Sequence, residues 1–453
     1  MKVLKDIFNV SLSTVVGLGT SFLINIMLPI ILSLQEYGLY QEYVTYLSFT
    51  YLLNLGYNDG IYIKYGGENI AELNSNEIEE EHSFVIIMQI AVFLFSSLVA
   101  IYKKDILLLF FCMTSFFDAI NNYHANFLKA TGQFNIYSTG YILKSVLYII
   151  LLSLSIFLFR FEKYYIYILL NMCSFFFLTL FFEFYYYRKR SIAIRINLKS
   201  QISLLKIGSI ILVSNASLTF VGNAGRLIAS HIYSSETFAQ YGFQNSLLNL
   251  ILLLTNAVGI VFYNTIAKKD DLYLLNMIKK ISLLLGILSG ISFFIMEIMV
   301  RFLMPKYISA LNLLSITFIA IPYIMISKML IANLYKTKTS EKIYLRDSLL
   351  YAIIAFLFIV TSHFIWPSLQ TIACATTICY MAWFLYTTTI KFTYLRTSLS
   401  DLLILCSHAI VFFLSSKFSP LEGLLIYLIF ISMIFIIKKE ELKKLLKFLF
   451  DKK

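Results

Sequence analysis

The chain has 453 residues, of which 59% are apolar, 17% aromatic and only 14% charged, with a mean hydropathy of +0.79 and a net charge of +12. A surface of that composition is not kept in water, so a soluble enzyme, a disordered regulator and a disulfide scaffold are excluded as classes. In a soluble protein the positive charge would suggest nucleic acid. Here the basic residues lie in short connections and in the C-terminal tail, which points to anionic lipid and to no nucleic-acid partner.

Crossing a bilayer takes about 20 mainly apolar residues. Windows of that size predict spans at 8–32, 39–63, 83–102, 106–128, 135–159 and 164–187. After a polar interval they predict 207–233, 237–266, 281–304, 308–334, 347–366, 368–390, 400–416 and 420–437. The expectation is an all-α polytopic membrane protein with about fourteen transmembrane helices. Lys and Arg concentrate in every second connection, which places both termini in the cytoplasm. The apolar stretch after Met1–Asp6 ends without a small-residue cleavage site, so the first span is expected to stay attached.

The stretch 188–206, RKRSIAIRINLKSQISLLK, has six basic and no acidic residues and falls between two sets of six spans. It reads as a linker and a topology determinant, dividing the chain into an N-lobe at 1–190, a C-lobe at 191–395 and two further helices with a tail at 396–453. In the tail, Leu442, Leu445, Leu446 and Leu449 share one helical face among lysines, the pattern of a helix lying in the membrane interface. The five cysteines all sit in apolar runs, where thiols act as small hydrophobes, and neither disulfide nor metal is expected of them.

A short phrase recurs in the two halves. LSLQEYGLYQ at 32–41 joins the first two spans and SSETFAQYGFQ at 234–244 joins the seventh and eighth. Two pseudo-symmetric six-helix lobes in parallel repeat are implied, an arrangement in which transporters bind substrate between the halves.

Four phrases carry a likeness to a known family: EYGLYQ at 36–41, NLGYNDGIYIKYGG at 54–67, NFLKATGQFNIYSTGYILKSVL at 126–147 and PKYISALNLLSI at 305–316. In order and placement the chain resembles the Wzx-type polysaccharide flippases of the multidrug/oligosaccharidyl-lipid/polysaccharide exporter superfamily. The resemblance implies a bacterial inner-membrane protein that moves a polyprenyl-diphosphate-linked repeat unit of O-antigen or capsule by ion-coupled alternating access. It also implies a proton or sodium gradient instead of a cofactor, and partners among the polysaccharide-assembly proteins. Each chain holds both lobes, so a monomer is expected. Two departures stand out. Gly225 precedes Arg226 where the family often has an acid, and VFYNTIAKK ends span eight without the frequent proline.

Lys144, Arg226 and Lys328 lie well inside predicted spans, where each unpaired cation costs about 2.5 to 3.5 kcal/mol. A water-filled cavity would offset that cost and would present positive charge to an anionic head group. Pairing within the bundle is the other outcome. Lys144 has Asp118 at similar depth on the adjacent span, Arg226 has Glu297 as its acidic candidate, and Lys328 is close enough to the span end to snorkel.

Span two ends in Asn54, Asn58, Asp59 and Lys64, with Asn54 and Asn58 at i, i+4 spacing. Span four offers Asp118, Asn121, Asn122 and His124, and span eight a stripe of Asn245, Asn249 and Asn256. Amides on such stripes either bind sugar hydroxyls or bond neighbouring helices. The expected substrate contacts are therefore Arg226, Lys144, Lys328, Asn58, Asp59, Lys64, Asn122, Asn245 and Asn249, with Asp118 and His124 as candidates for ion coupling. Pro29 and Pro322 are the helix-bending positions.

The sequence contains no GxxxxGK loop, HExxH, CxxC or GxSxG, so neither an ATP-driven pump nor a familiar enzyme class is indicated. Two other readings stand beside the flippase. One is an ion-coupled multidrug exporter of the same fold, and the other a membrane glycosyltransferase or polysaccharide polymerase. Basic residues in both lobes weigh against the first, and the lack of a sizeable outer loop weighs against the second.

Overall fold

A computed structural model of the chain describes residues 2–66, 68, 70–188, 190, 197–268, 271–439 and 443. All regular structure among them is helical. In chain order the helices are α1 Lys2–Ile31, α2 Leu34–Leu47, α3 Tyr57–Lys64, α4 Ser75–Lys103, α5 Ile106–Ala130, α6 Phe134–Ser153, α7 Tyr164–Tyr187, α8 Leu198–Ile232 and α9 Ser235–Lys268. They continue as α10 Leu272–Leu288, α11 Ile291–Leu303, α12 Ile308–Phe318, α13 Ile321–Ile326, α14 Ala332–Lys338, α15 Glu341–Ile365, α16 Leu369–Tyr386, α17 Leu399–Ser415 and α18 Pro420–Ile437. Among the described residues nine helices are long and apolar enough to cross a bilayer. The bent pair Pro305–Phe318 and Ile321–Lys338 makes a tenth if it is one span. Large side chains such as Phe95, Phe184, Phe302 and Phe364 point outward, as they do on a surface bathed in acyl chains. The predicted tail face at Leu442, Leu445, Leu446 and Leu449 lies outside the described residues, as do 189 and 191–196 of the basic stretch.

The predicted second span is broken. Asn54 ends a short 3-10 turn and its Oδ1 accepts the Gly56 N–H at 2.9 Å, while Leu55 and Gly56 take left-handed φ of 53° and 83°. A glycine carries such a φ at little steric cost, so α3 restarts at Tyr57 in a new direction. Asn54 and Asn58 therefore do not share a helical face, contrary to the i, i+4 expectation. Pro322 acts as expected of a bending position: it is the second residue of α13, and the helical pieces on either side of the break meet at 55°.

Two compact units divide the chain. One comprises Met1–Asn223 with Ser230–Ala239, and the other Ala224–Ala229 with Gln240–Lys453. In the first, α5 is the central helix, packed against α2, α3, α4, α6 and α7. Backbone meets backbone where α3 crosses α8. A Cβ on Gly208 would stand 1.9 Å from the Gly56 carbonyl oxygen, and one on Gly60 would stand 2.5 Å from that of Leu204, so only glycine fits the crossing. At the other end of α2, Glu36 accepts from Lys163 Nζ at 2.8 Å and from the Tyr164 N–H that opens α7. That carboxylate raises the Lys163 amine above its usual range.

In the second unit α16 packs on α12, α13 and α15, and α18 packs on α11 and α17. Phe293, Phe294, Phe318, Phe412 and Tyr427 form a continuous aromatic core there. Tyr427 fixes α18 through its hydroxyl, which donates to the Ile287 carbonyl at 2.6 Å and lies 3.0 Å from His408 Nδ1. Gly290 leaves the space that the Tyr427 ring fills.

Candidate functional site

Five predicted residues of the first unit gather around α5. Lys144, on α6, places its Nζ 3.2 Å from the centre of the Phe175 ring on α7. Asp118 is its acidic neighbour, with Thr50 and Asn122 beside the carboxylate. No ion-pair contact joins Lys144 to Asp118, so in place of the alternative salt bridge there is a cation lying on an aromatic face with a carboxylate at longer range. Asn58 is buried and its Nδ2 donates to the Ala119 carbonyl at 3.0 Å, tying α3 to α5 one residue from Asp118. Asp59, half-buried on α3, faces the charge of Lys129.

Lys64 lies in a different setting. Its Nζ contacts Glu81 at 2.6 Å and Glu77 at 2.8 Å, and the Tyr65 hydroxyl donates to Glu81 at 2.8 Å. Glu81 is only 1% exposed, so this pair neutralises a buried carboxylate and links α3 to α4. Tyr57 extends the network by donating to Gln201 on α8.

The second unit holds Arg226, 3% exposed, next to Gly225. A Cβ on Gly225 would stand 2.5 Å from the Tyr241 hydroxyl and 2.7 Å from Ile372 Cγ2. A side chain at 225 would have to displace Tyr241 and Ile372, which disfavours an acid before this arginine. Tyr241 also has Asn245 and Thr376 beside its hydroxyl, and the Asn245 Nδ2 donates to the Tyr241 carbonyl at 3.0 Å. Glu297, the acidic candidate for Arg226, instead holds Arg301 on its own helix at 2.7 and 3.0 Å. Asn249 is exposed, and the Asn256 side chain lies outside the described residues.

Lys328 is exposed on a π-turn, Ser327–Ile331, that joins α13 to α14. Asn333 seals this turn by donating to the Gly259 carbonyl at 2.8 Å and the Met329 carbonyl at 2.9 Å. Single π-turns inside helices recur at functional positions because they re-aim a side chain at the expense of one backbone bond.

With the helices and these clusters placed, comparison with solved structures is decisive for the fold. The structure of the lipid II flippase MurJ in an inward closed conformation matches over 95% of this chain and 99% of that chain, with a TM-score of 0.68 and 16% identity. An inward-facing multidrug resistance MATE family transporter of the MOP superfamily matches over 85% and 96%, with a TM-score of 0.59 and 15% identity. The outward-facing form of such a transporter matches over 87% and 97%, at 0.55 and 16%. This chain has the fold of the MurJ and MATE transporters. No family model matches it, and no curated protein matches its sequence.

Within that fold, His124, the second candidate for ion coupling, meets two residues that the reading of the sequence did not single out. His124 places Nε2 2.9 Å from Glu183 Oε1, and His82 places Nε2 3.0 Å from Glu183 Oε2. The three residues come from α5, α7 and α4. The only signal was a lone His or Glu at each of three distant positions, with His82 at the end of the acidic connection before the span 83–102. A single intramembrane ionisable residue is expensive enough to ask for a partner, but sequence does not say which.

Proposed function

We propose that this protein is a flippase that moves a polyprenyl-diphosphate-linked oligosaccharide from the cytoplasmic to the outer leaflet of a bacterial inner membrane. The observation that carries this reading is Arg226, buried at 3% exposure six residues before the end of the apolar helix α8. It sits in a fold shared with a lipid II flippase. A guanidinium matches the oxygens of a diphosphate bidentately, which lysine does not. Lys144 and Lys328 add positive charge to the same role. Asn58, Asn122, Asn245 and Asn249 supply amides for the sugar, although those of Asn58 and Asn245 already bond backbone carbonyls within their own units.

Transport by alternating access needs an energy source, and we assign it to an ion gradient read by Asp118. Its carboxylate lies near Lys144 without touching it, so protonating or freeing it changes the balance of charge on α5 and α6. The working unit is a monomer with both termini in the cytoplasm, and the cargo is a repeat unit of a surface polysaccharide such as O-antigen.

The test replaces Arg226, Lys144 and Lys328 singly by Gln and follows surface polysaccharide together with membrane abundance. The reading expects export to fall with abundance unchanged, most strongly at Arg226. Export of wild-type size in all three variants would remove it.

A further inference from the structure

His82, His124 and Glu183 form a compact donor set on three helices of the first unit. One nitrogen of each histidine and a carboxylate oxygen of the glutamate all lie within 4.8 Å of one another. Both imidazoles are buried, and the carboxylate side chain is 18% exposed. The rings are held in place by packing. His82 stacks on Tyr186 with centroids 3.9 Å apart and an interplanar angle of 19°, and His124 packs against Phe182 and Tyr123. Two imidazole nitrogens and one carboxylate oxygen are the ligand chemistry of zinc-class divalent ions, and three protein ligands leave a fourth position open.

The spacing agrees with that chemistry. Donors bonded to one tetrahedral ion at about 2.0 to 2.1 Å stand roughly 3.3 Å apart. The histidine nitrogens lie 2.9 to 3.1 Å from the Glu183 oxygens and all three donors within 4.8 Å of one another, so an ion enters with a small rearrangement of the set. A pocket of about 30 Å³ opens beside His124, lined in part by Gln133, Tyr185 and Arg190. That is room for one water as the fourth ligand.

We propose that His82, His124 and Glu183 bind one divalent transition-metal ion of the zinc class, clasping α4, α5 and α7. Without an ion, each Nε2 carries the hydrogen that it donates to Glu183. With one, each Nε2 turns its lone pair to the metal and the ring proton resides on Nδ1. Arg190 is a cation at this site. Its guanidinium lies over the Phe127 and Tyr186 rings at 5.4 Å, on the wall of the same pocket, and it opposes the incoming charge. The proposal is independent of the cargo and of the direction of transport.

The experiment uses the full chain, purified in detergent and stripped with a chelator, and titrates Co²⁺ followed by Zn²⁺. One Co²⁺ per chain with the visible absorption of a four-coordinate ion, displaced by Zn²⁺, is the expected result. His124→Gln and Glu183→Gln should weaken binding by more than about 100-fold, beyond what the loss of an outer-shell partner does. Arg190→Gln should tighten binding, which a merely structural histidine cluster gives no reason to expect. The proposal is overturned if the wild-type chain takes up no Co²⁺, or if its spectrum shows six-coordinate or thiolate ligation. Uptake equal to that of a His82→Gln/His124→Gln/Glu183→Gln triple variant overturns it too. The wild-type spectrum decides even if that variant does not fold, and it is read without any transport assay.

Discussion

The Lys144 amine rests on the face of the Phe175 ring, 3.2 Å from its centre, and not against Asp118. A ring face stabilises a cation without neutralising it, so the contact does not take the place of a carboxylate partner. Phe175→Leu keeps the bulk and removes the face, and should cost about 0.5 to 2 kcal/mol of stability. In a cycle with Lys144→Met the two losses should not add, which thermal unfolding in detergent measures. Strict additivity would show that the contact contributes nothing.

Gly225 and Tyr241 touch in the second unit. Gly225→Ala should destabilise by about 1 to 3 kcal/mol, because a methyl is forced against the Tyr241 hydroxyl and Ile372. Gly225→Asp, which places an acid before Arg226, should lower membrane abundance further. Wild-type abundance and melting of Gly225→Asp would contradict the close packing.

Lys64 offers a clean separation between a structural and a substrate role. Lys64→Met strands the buried Glu81 carboxylate and should destabilise by about 3 to 5 kcal/mol. Lys64→Met with Glu81→Gln should recover most of that, because no buried charge is left. If the double variant is stable and exports normally, Lys64 is structural. If it is stable and fails to export, Lys64 contacts cargo as its position in the sequence suggested.

The Tyr427 hydroxyl is one of the ties that dock α18. Tyr427→Phe leaves the Ile287 carbonyl and His408 without that partner and should lower stability by about 1 to 3 kcal/mol, while the ring still fills the space at Gly290. Faster proteolysis in the connection between α16 and α17 reports the loosened pair. An unchanged cleavage rate would show that α18 is held by the aromatic core alone.

Helix positions were largely legible, because bilayer thickness sets a length that a window of about 20 residues detects without any knowledge of packing. The break at Asn54–Gly56 was written in NLG, yet the apolar run masks it, since a left-handed pair changes direction without changing hydropathy. Cations within the helices were legible as individuals and not as contacts. Glu297 stood at a plausible height for Arg226, but Arg301 four residues along its own helix claims it. With 41 phenylalanines in the chain, nothing in the sequence singles out Phe175 for Lys144. The His82, His124 and Glu183 cluster joins residues up to 101 positions apart, a relation that only the fold of α4, α5 and α7 creates.

The most direct measurement is export by Arg226→Gln at matched membrane abundance, with Arg226→Lys beside it. One lost charge-assisted contact to a diphosphate amounts to about 1.5 to 3 kcal/mol, so surface polysaccharide should fall roughly 10- to 100-fold in the glutamine variant and less in the lysine variant. Full export by Arg226→Gln would mean that no anionic head group meets this arginine during transport.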